Sequence, residues 1–413
     1  MPPDIPHPFS TAESGSFARE TLAVRIPSIL RTTFAELGLP SQAPGLVPPA
    51  VRQSFRELEL ELTSGLLRGL RERAPDRHVW DSACAPHLGR SWLDLPWYFA
   101  EAFFYRRILE ATGYFQRGPL GGVDPFARQK AHELAPEEGV RRAVAMLAAL
   151  PEGRTERCRA LMLGSLWGNR LDLSLNVARL LGSLVGDERS DLLVDDSHAV
   201  AEQLEARDSK PVTIVADNAG TELLMDLALG DFLLQAYSIP RLTIHVKAHP
   251  TFVSDATSAD LADALAALSR SLEPRAGALA DRLRRELERS RLIVEAHPFY
   301  NTSLFFPELP AELLRGFAQC GLVIFKGDAN YRRLCSDAHW ATETAFDHVV
   351  GFFPAPLVAL RILKADVIVG LPTTAAKELS AEDPMWRVNG RRGLIQARVK
   401  APNPAGGCWA GAG

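Results

Sequence analysis

The residues with the clearest chemical potential lie just after two short apolar runs in the middle of the chain. Asp217 and Asn218 follow the run 212–216, and Asp255 comes shortly after the run 242–246. Together they offer two carboxylates and one amide oxygen. Hard divalent cations such as Mg²⁺ and Mn²⁺ prefer oxygen ligands, and they usually keep several waters beside one or two carboxylates. The pattern therefore predicts a divalent metal site on these three residues.

Other roles are open to the same residues. Asp and Asn are common at helix N-caps and in turns, and Asp217 directly precedes a turn and a helical pattern. Its position at the end of a buried strand, with the carboxylate of Glu222 five residues later, favours the metal site. His249 and His297 also follow apolar runs, as does Lys247. No HxxxH or HxH spacing supports a soft-metal site, so a structural role is favoured for both histidines.

A second group of candidates follows the apolar run 322–325. Lys326 and Gly327 lead into Asp328 and a short helical pattern, so a strand turns into a helix there. The first N–H groups of a helix have no partner within it and attract phosphate, and glycine lets the backbone approach a ligand. Lys326 and Arg332 could add charge-assisted bonds to phosphate oxygens. The alternative is an ordinary loop capped by Asp328.

A third polar group lies on the helical pattern 158–181. Asn169, Asp172 and Asn176 fall on one face of that helix. Such a polar stripe is unusual on an otherwise apolar helix, and we predict that Asn169 and Asp172, like Lys326, are supporting groups of the site. Buried polar packing against a neighbouring helix is the alternative.

The elements that position these groups form a βαβ pattern. The run 212–216 is followed by the turn Ala219-Gly220, a helical pattern over 221–237 and the run 242–246. Such a unit predicts parallel strands covered on both faces, with ligands at the carboxyl ends of the strands. Further strands are predicted at 292–295, 322–325 and 366–369. The predicted fold class is α/β, with a doubly wound, mostly parallel sheet.

The chain before the sheet has helical periodicity. Apolar residues recur at three- and four-residue spacing over 22–37, 51–70, 97–112 and 137–150, and no convincing strand pattern occurs before about residue 190. We therefore predict a helical N-terminal domain over 16–155 and an α/β domain over 156–400. Residues 1–15 and 401–413 have the composition of disordered ends.

Composition limits the function classes. The 413 residues carry a formal net charge of −4, with 46% hydrophobic and 23% charged residues, and this suggests neither a nucleic-acid nor a membrane partner. No segment approaches the roughly 18 apolar residues of a membrane span. The N-terminus lacks the apolar stretch of a secretory signal, and the five cysteines show no CxxC spacing. We expect a cytoplasmic protein, and the sequence leaves its oligomeric state open.

Five motifs together resemble a known family. They are ADNAGTE (216–222), VKAHPTFVSDAT (246–257), IFKGDANYR (324–332), RILKADVIVGL (361–371) and SLWGNRLDLS (165–174). From about Ser91 to Gln396 the chain resembles the metal-dependent damage-control phosphatases, the former domain of unknown function 89. Within that family it resembles subfamily III, which includes a protein also described as an acidic-residue methyltransferase.

The resemblance implies roles for individual residues. Asp217, Asn218 and Asp255 match the family's metal ligands, and Glu222 belongs with the substrate-binding residues. The family's substrate-binding DxNYR segment corresponds to Asp328, Ala329, Asn330, Tyr331 and Arg332. Lys364 matches the lysine of the RTxK motif, which contacts the phosphorylated substrate, and Ile362 replaces the threonine of that motif.

The resemblance implies a phosphatase that uses Mn²⁺, Mg²⁺, Co²⁺ or Ni²⁺ and acts on small sugar phosphates such as fructose 1-phosphate and fructose 6-phosphate. One alternative is an S-adenosylmethionine-dependent protein carboxyl methyltransferase, with Glu222 and Asp255 at the cofactor. No GxGxxG-like loop follows any of the predicted strands, which counts against it. The other alternative is a protein that binds sugar phosphates without turnover.

Overall fold

The computed structural model describes residues 4–37, 47–133, 136–168, 191–205 and 210–399. A seven-stranded, mostly parallel sheet lies at the centre of this part of the chain, with helices on both faces, which confirms the predicted α/β fold class. The strands are β1 (Leu192–Asp195), β2 (Val212–Val215), β3 (Leu242–Lys247), β4 (Leu292–His297), β5 (Leu322–Lys326), β6 (Leu357–Ile362) and β7 (Gly393–Arg398).

The order of the strands across the sheet is β1-β7-β6-β5-β2-β3-β4. Strands β2 to β6 run parallel to one another, whereas β7 is antiparallel to β6 and parallel to β1. Every residue of β2 is buried, and Val215 lies opposite His245 of β3 and Phe325 of β5. The carboxyl ends of β2, β3 and β5 therefore meet at one edge of the sheet.

Helices make up most of the described chain before the sheet. They are α1 (Phe17–Glu20), a π-helical turn (Thr21–Arg25), α2 (Ile26–Leu37), α3 (Pro49–Ser64), α4 (Arg77–Cys84), α5 (Trp97–Thr112), α6 (Ala127–Glu133), α7 (Pro136–Ala148) and α8 (Arg154–Trp167). A 3₁₀ turn (Ala85–His87) follows α4.

The later helices connect or follow the strands. They are α9 (Ser197–Glu205), α10 (Thr221–Ala236), α11 (Ser258–Arg270), α12 (Pro274–Glu288), α13 (Ala311–Ala318), α14 (Gly327–Leu334), α15 (Phe346–Val349) and α16 (Thr373–Glu382), with 3₁₀ turns at Pro298–Asn301 and Phe306–Glu308. Within the described residues, every helix is too short or too polar to cross a membrane.

The core has one hydrophobic cluster on each face of the sheet. Alternate residues of β5 point to opposite faces. Val323 and Phe325 join a cluster with α3, α5 and α13, whereas Leu322 and Ile324 join one with α7, α8, α10, α11 and α12. Helices before residue 155 therefore share both clusters with the sheet, and the domain boundary near that residue stays a prediction.

The helices next to the strand ends agree well with the sequence patterns. The pattern 221–237 forms α10, which ends one residue earlier, and the pattern 97–112 coincides with α5. Helix α10 is buried almost all round because α7 and α8 cover the side that the sheet leaves open. Of the predicted helix 158–181, the described part ends with α8 and Gly168.

The run 366–369 is not a strand, so that prediction is wrong. It is a loop whose main chain is bonded by buried side chains: Val369 N donates to the Tyr331 hydroxyl (3.3 Å), and Gln396 Nε2 donates to Val369 O (2.9 Å). The guanidinium of Arg361 donates to two further carbonyl oxygens of this loop. Side chains thus replace the ladder hydrogen bonds that an apolar run usually makes.

Three strands, β1, β6 and β7, have no counterpart among the predicted runs. Buried polar residues interrupt the apolar pattern of two of them: Arg361 lies within β6, and Gln396 and Arg398 lie within β7. Arg398 donates to the carbonyl oxygens of Phe353 and Ala355. A period-two pattern cannot show such partners, because they are far away in sequence.

Residues 4–15 correct the prediction of a disordered N-terminus. Phe9 is buried with its ring edge-on to Trp97, its N–H donates to Asp337 O (2.9 Å), and its carbonyl accepts from Trp97 N (2.8 Å). Thr11 N donates to Leu95 O in the same way. Long-range main-chain bonds therefore order this Pro- and Ser-rich segment.

Candidate active site

The direction of the strand order reverses at β2. Strands β3 and β4 follow on one side of it, and β5 and β6 follow on the other. Ligands of open α/β sheets bind at such a reversal, outside the carboxyl ends of the strands. Asp217 and Asn218 come directly after β2, and Gly327 comes directly after β5. The predicted residues therefore lie at the place in the fold best suited to a site.

The carboxylate of Asp217 packs directly on Gly327. A Cβ atom at position 327 would come within 1.9 Å of Asp217 Oδ2, and the backbone there has φ = +81°, which side-chain-bearing residues rarely adopt. Glycine is required here because a carboxylate of the protein itself approaches the start of α14.

Main-chain bonds bring Asp255 to the same place. Ala219 N donates to Ser254 O (2.8 Å), and Ala256 N donates to Asp217 O (2.7 Å), so Asn218 and Asp255 form an antiparallel bridge. The loop after β3 is thereby joined to the loop after β2. The bridge places Asp255 beside the consecutive pair Asp217 and Asn218, although Asp255 is distant from them in the sequence.

The side chain of Asn218 is held in one orientation. Its Nδ2 donates to Asp217 Oδ2 (2.8 Å) and to Glu222 Oε2 (3.0 Å), and its Oδ1 accepts from Ser254 Oγ (2.6 Å). Because both ends of the amide are bonded, rotation that exchanges its oxygen and nitrogen is unfavourable. Glu222 thus acts on the site through Asn218.

Like charges are concentrated around Asp217. Burial, followed by the nearby charges of Asp255 and Glu222, raises the pKa of Asp217 well above its ordinary value, and Lys247 and Lys364 only partly oppose this rise. Burial also raises the pKa of Asp255, although Lys247 Nζ lies 3.2 Å from its Oδ2. Such a cluster favours any ligand that brings positive charge.

A divalent cation suits this donor set. Asp255 Oδ2 is buried beside the bridge that carries Asn218, with the Lys247 ammonium 3.2 Å away. Among the described residues, no three His, Cys, Asp or Glu side chains surround a single metal position. Asn218 is not one of those residue types, so the proposed set of two carboxylates and an amide oxygen stays a prediction.

Lys326 lies on the protein side of this cluster. Its buried ammonium donates to Ser165 O (2.6 Å) and Glu222 Oε1 (3.1 Å) and pairs with Asp226 Oδ1 (3.2 Å). The position fits the predicted supporting role. Because the ammonium bonds these protein acceptors, the structure does not support a direct bond from Lys326 to phosphate.

Arg332 is likewise bonded to protein groups. Its Nε and Nη2 donate to the two carboxylate oxygens of Asp337 (2.7 and 2.9 Å), its Nη1 donates to Glu101 (2.5 Å), and its guanidinium stacks on Trp97 at 3.9 Å. The burial of the whole group ties α14 to α5 and to the segment after α14. A phosphate contact by Arg332 stays a prediction.

The start of α14 is joined to the end of β6. Asp328 Oδ1 accepts from Arg361 Nε (2.7 Å) and from Lys364 N (3.1 Å). Lys364 is exposed, and its charge opposes the rise in the pKa of Asp217. Lys364 therefore follows β6 and lies near both Asp217 and the first turn of α14.

The remaining residues of the DxNYR segment face the interior. Asn330 Nδ2 donates to Lys326 O (2.8 Å), and its Oδ1 is buried without a hydrogen bond. The hydroxyl of Tyr331 donates to Gln396 Oε1 (2.9 Å), and Ala329 is half-buried. These contacts hold α14 against the end of β5 and against β7.

Comparison with known proteins decides the family. The sequence matches the family described as "Damage-control phosphatase ARMT1-like domain" over residues 21–379. The chain belongs to the damage-control phosphatase ARMT1-like family. The predicted family and the predicted enzyme class, a phosphatase, are thereby confirmed.

Several relatives of this family cover nearly the whole chain. Damage-control phosphatase ARMT1 of Danio rerio is 30% identical and covers 95% of this chain and 96% of its own length. The Xenopus laevis protein of that name is 30% identical, covering 95% and 99%, and the Homo sapiens protein is 27% identical, covering 95% and 98%. The crystal structure of a DUF89 family protein from Pyrococcus horikoshii has 16% identity and a TM-score of 0.48, covering 92% of this chain and 98% of its own.

Four predicted residues of this damage-control phosphatase family member are either outside the described residues or bonded elsewhere. Asn169 and Asp172 lie outside the described residues. His249 contacts Asn301 (3.1 Å), and His297 accepts from Phe299 N (3.1 Å), which supports the structural roles predicted for both histidines.

A cavity of about 650 Å³ lies beside the cluster on the β3 side. It is bounded by α6, α11 and the start of α10, with Lys130, Lys247 and Gly220 among its lining residues. Asp217, Asp255 and Lys364 are not among the described residues that line it. The cavity therefore adjoins the carboxylate cluster without opening over it.

Three contacts around the site were not foreseen from the sequence. Ser254 bonds Asn218, Arg361 bonds Asp328, and Asp226 bonds Lys326. Asp226 carried one usable signal, because it follows Glu222 by four residues on α10 and so shares its face. Ser254 and Arg361 act between distant segments and gave no local signal.

Proposed function

We propose that this family member is a divalent-metal-dependent phosphatase that hydrolyses phosphomonoesters of small sugar phosphates, of which fructose 1-phosphate and fructose 6-phosphate are representative. One observation carries the proposal beyond family membership. Buried Asp217, Asn218 and Asp255 converge at the reversal of strand order, beside the N-terminus of α14. A cytoplasmic location and the absence of nucleic-acid and membrane partners stay predictions.

Asp217, Asn218 and Asp255 are the residues that would hold Mn²⁺, Mg²⁺, Co²⁺ or Ni²⁺. Burial of all three side chains and the repulsion of Asp217 by the charges of Asp255 and Glu222 support this assignment. When bound, such a cation polarises phosphoryl oxygens and offsets the charge that develops on them.

Lys364 and the first turn of α14 bind the phosphate group of the substrate. Lys364 is exposed next to Asp217, and the bond from its N–H to Asp328 holds it beside the first turn of α14. The free N–H groups of that turn and the Lys364 ammonium can both donate to phosphate oxygens. Donors fixed in this way stabilise the additional negative charge of the transition state.

The substrate class follows from family resemblance and from these phosphate-binding groups. Ile362, which stands in place of a threonine, is the last residue of β6 and is half-buried. Any hydroxyl contact at that position is absent here. Selection among sugar phosphates then depends on the remaining residues of the site.

A panel assay tests the proposal. Fructose 1-phosphate, fructose 6-phosphate and p-nitrophenyl phosphate are each assayed for phosphate release with Mn²⁺, Co²⁺, Ni²⁺ and Mg²⁺, and after treatment with a chelator. We expect release from sugar phosphates that stops on chelation and returns with metal. Calorimetric binding of a sugar phosphate without release under any metal would favour the non-catalytic alternative. Binding of S-adenosylmethionine without phosphatase activity would favour the methyltransferase.

A further inference from the structure

We infer that Asp226 is a positioning residue of this site: with Ser165 it fixes the ammonium of Lys326, which in turn fixes Glu222 and the amide of Asn218. This inference rests on the proposed function, because it assumes that Asn218 offers its oxygen to a divalent cation. Asp226 itself is fully buried on α10, one turn beyond Glu222, and touches none of the three proposed ligands in the contacts described above.

The first step of the argument concerns the Lys326 ammonium. Lys326 is the last residue of β5, and its amine is held by Ser165 O (2.6 Å), Glu222 Oε1 (3.1 Å) and Asp226 Oδ1 (3.2 Å). Ser165 also donates its hydroxyl to Asp226 Oδ1 (2.5 Å), so this carboxylate is itself held in place. The amine is therefore fixed by groups from α8 and α10, and its position is not free to vary.

The second step leads from Lys326 to Asn218. Glu222 uses one carboxylate oxygen for Lys326 and the other for Asn218 Nδ2, which lies 3.0 Å away. A buried ammonium shared by two carboxylates leaves Glu222 able to keep both bonds. If residue 226 is neutral, Glu222 is the one remaining carboxylate of this pair that can balance the charge of Lys326. The ammonium then draws the Glu222 carboxylate away from Asn218.

The third step concerns the amide itself. Asn218 Nδ2 is held between Asp217 and Glu222, and its Oδ1 points the opposite way, toward Ser254 Oγ. When Glu222 withdraws, the amide loses one of the three bonds that fix it, so the orientation of its Oδ1 is held less firmly. Groups that orient metal ligands from behind typically change metal affinity by about 10-fold to 100-fold when they are replaced.

The test is the binding of Mn²⁺ to metal-free protein by calorimetry, supported by the rise in thermal midpoint that Mn²⁺ produces. We expect Asp226→Asn to bind Mn²⁺ about 10-fold more weakly than the wild type. Ser165→Ala, which removes only the hydroxyl that holds Asp226, should show a smaller loss in the same direction. If Asp226→Asn does not fold, Ser165→Ala decides the question, and unchanged affinity in that variant overturns the inference.

The matched control lies on the same helix. Asp231 is also a buried aspartate of α10, but it pairs with Arg282 Nη2 at 2.8 Å, away from the site. Asp231→Asn therefore removes a comparable buried charge, and it should bind Mn²⁺ as the wild type does. Equal losses in Asp226→Asn and Asp231→Asn would mean a general structural effect and would overturn the inference.

A double-mutant cycle separates positioning from loose packing. If Asp226 acts through Glu222, Asp226→Asn should have little further effect on Mn²⁺ affinity in a Glu222→Gln background. Additive losses overturn the inference while leaving the proposed function intact. A wild-type protein that binds no divalent metal overturns both, so the two failures are distinguishable.

Discussion

Two buried charge clusters in this protein differ in their balance. Between α3 and α5, Arg107 donates to both oxygens of Glu61 (2.7 and 2.8 Å) and to Glu110 (3.0 Å), and Arg68 binds Glu110 at 2.8 Å. Burial acts to raise the pKa of Glu110, but Arg68 and Arg107 lower it below its ordinary value. Each charge in this cluster has an opposite charge beside it.

The cluster at the end of β2 is less evenly balanced: Glu222 pairs with Lys326 and Asp255 pairs with Lys247, whereas the carboxylate of Asp217 accepts from the amide of Asn218. The carboxylates of Asp217, Glu222 and Asp255 lie close together, and the pKa of Asp217 rises because burial and its two acidic neighbours outweigh the nearby lysines. Protein interiors rarely keep such an arrangement unless a ligand compensates it. Balance therefore indicates a structural role for the first cluster, and imbalance indicates a functional role for the second.

Replacing Asp217 should cause the largest loss of activity without a loss of thermal stability. We expect Asp217→Ala to lower kcat for the best substrate of the panel by about 10³-fold or more. The thermal midpoint without metal should stay level or rise, because a carboxylate buried among like charges has been removed. Steady-state kinetics and a thermal melt check both parts, and an active Asp217→Ala enzyme would contradict the assignment of the site.

Breaking the balanced cluster should have the opposite outcome. Arg107→Met leaves Glu61 and Glu110 buried with less positive charge, and we expect the free energy of unfolding to fall by about 3–5 kcal/mol. Activity per folded molecule should not change. Urea denaturation gives the first quantity, and the matched control is Arg71→Met. The Arg71–Glu57 pair is exposed, so its loss should change the free energy of unfolding far less than the loss of Arg107.

The contact between Gly327 and Asp217 offers a geometric test. In Gly327→Ala the new methyl group meets the Asp217 carboxylate and forces it to move, and a displacement of about 1 Å can lower activity by about 100-fold. The control is Gly316→Ala in α13, where a Cβ meets no atom within 4 Å. That variant should keep full activity, and wild-type activity in Gly327→Ala would show that the position of Asp217 is not critical.

Hydrophobic patterns in the sequence predicted those elements of the fold whose residues are neighbours in the chain. The βαβ unit that carries Asp217, Asn218 and Asp255 was predictable from local order. An apolar run, a Gly turn, a helical pattern and a second apolar run follow one another directly. The convergence of the three residues followed from parallel pairing of the strands. The predicted strand at 366–369 failed because distant side chains bond that loop.

The partners of buried charges were beyond the sequence patterns. Lys326 ends β5 and Arg332 lies in the helix after it. Both were predicted to contact phosphate, yet Lys326 pairs with Glu222 on α10 and Arg332 pairs with Glu101 on α5. Which carboxylate reaches a given cation depends on the packing of helices that are far apart in the chain. Motif spacing does not contain that information.

Replacing Lys364 should have the smallest effect, and it tests whether an exposed cation near Asp217 takes part in function. We expect Lys364→Gln to lower kcat/KM by about 10-fold, the value of one hydrogen bond to a charged group. The free energy of unfolding should change by less than about 0.5 kcal/mol, since an exposed side chain is replaced. Lys377→Gln, at an exposed lysine of α16, is the control. Kinetics of Lys364→Gln that match this control would mean that the cluster binds its substrate without Lys364 and that α14 alone supplies the donors.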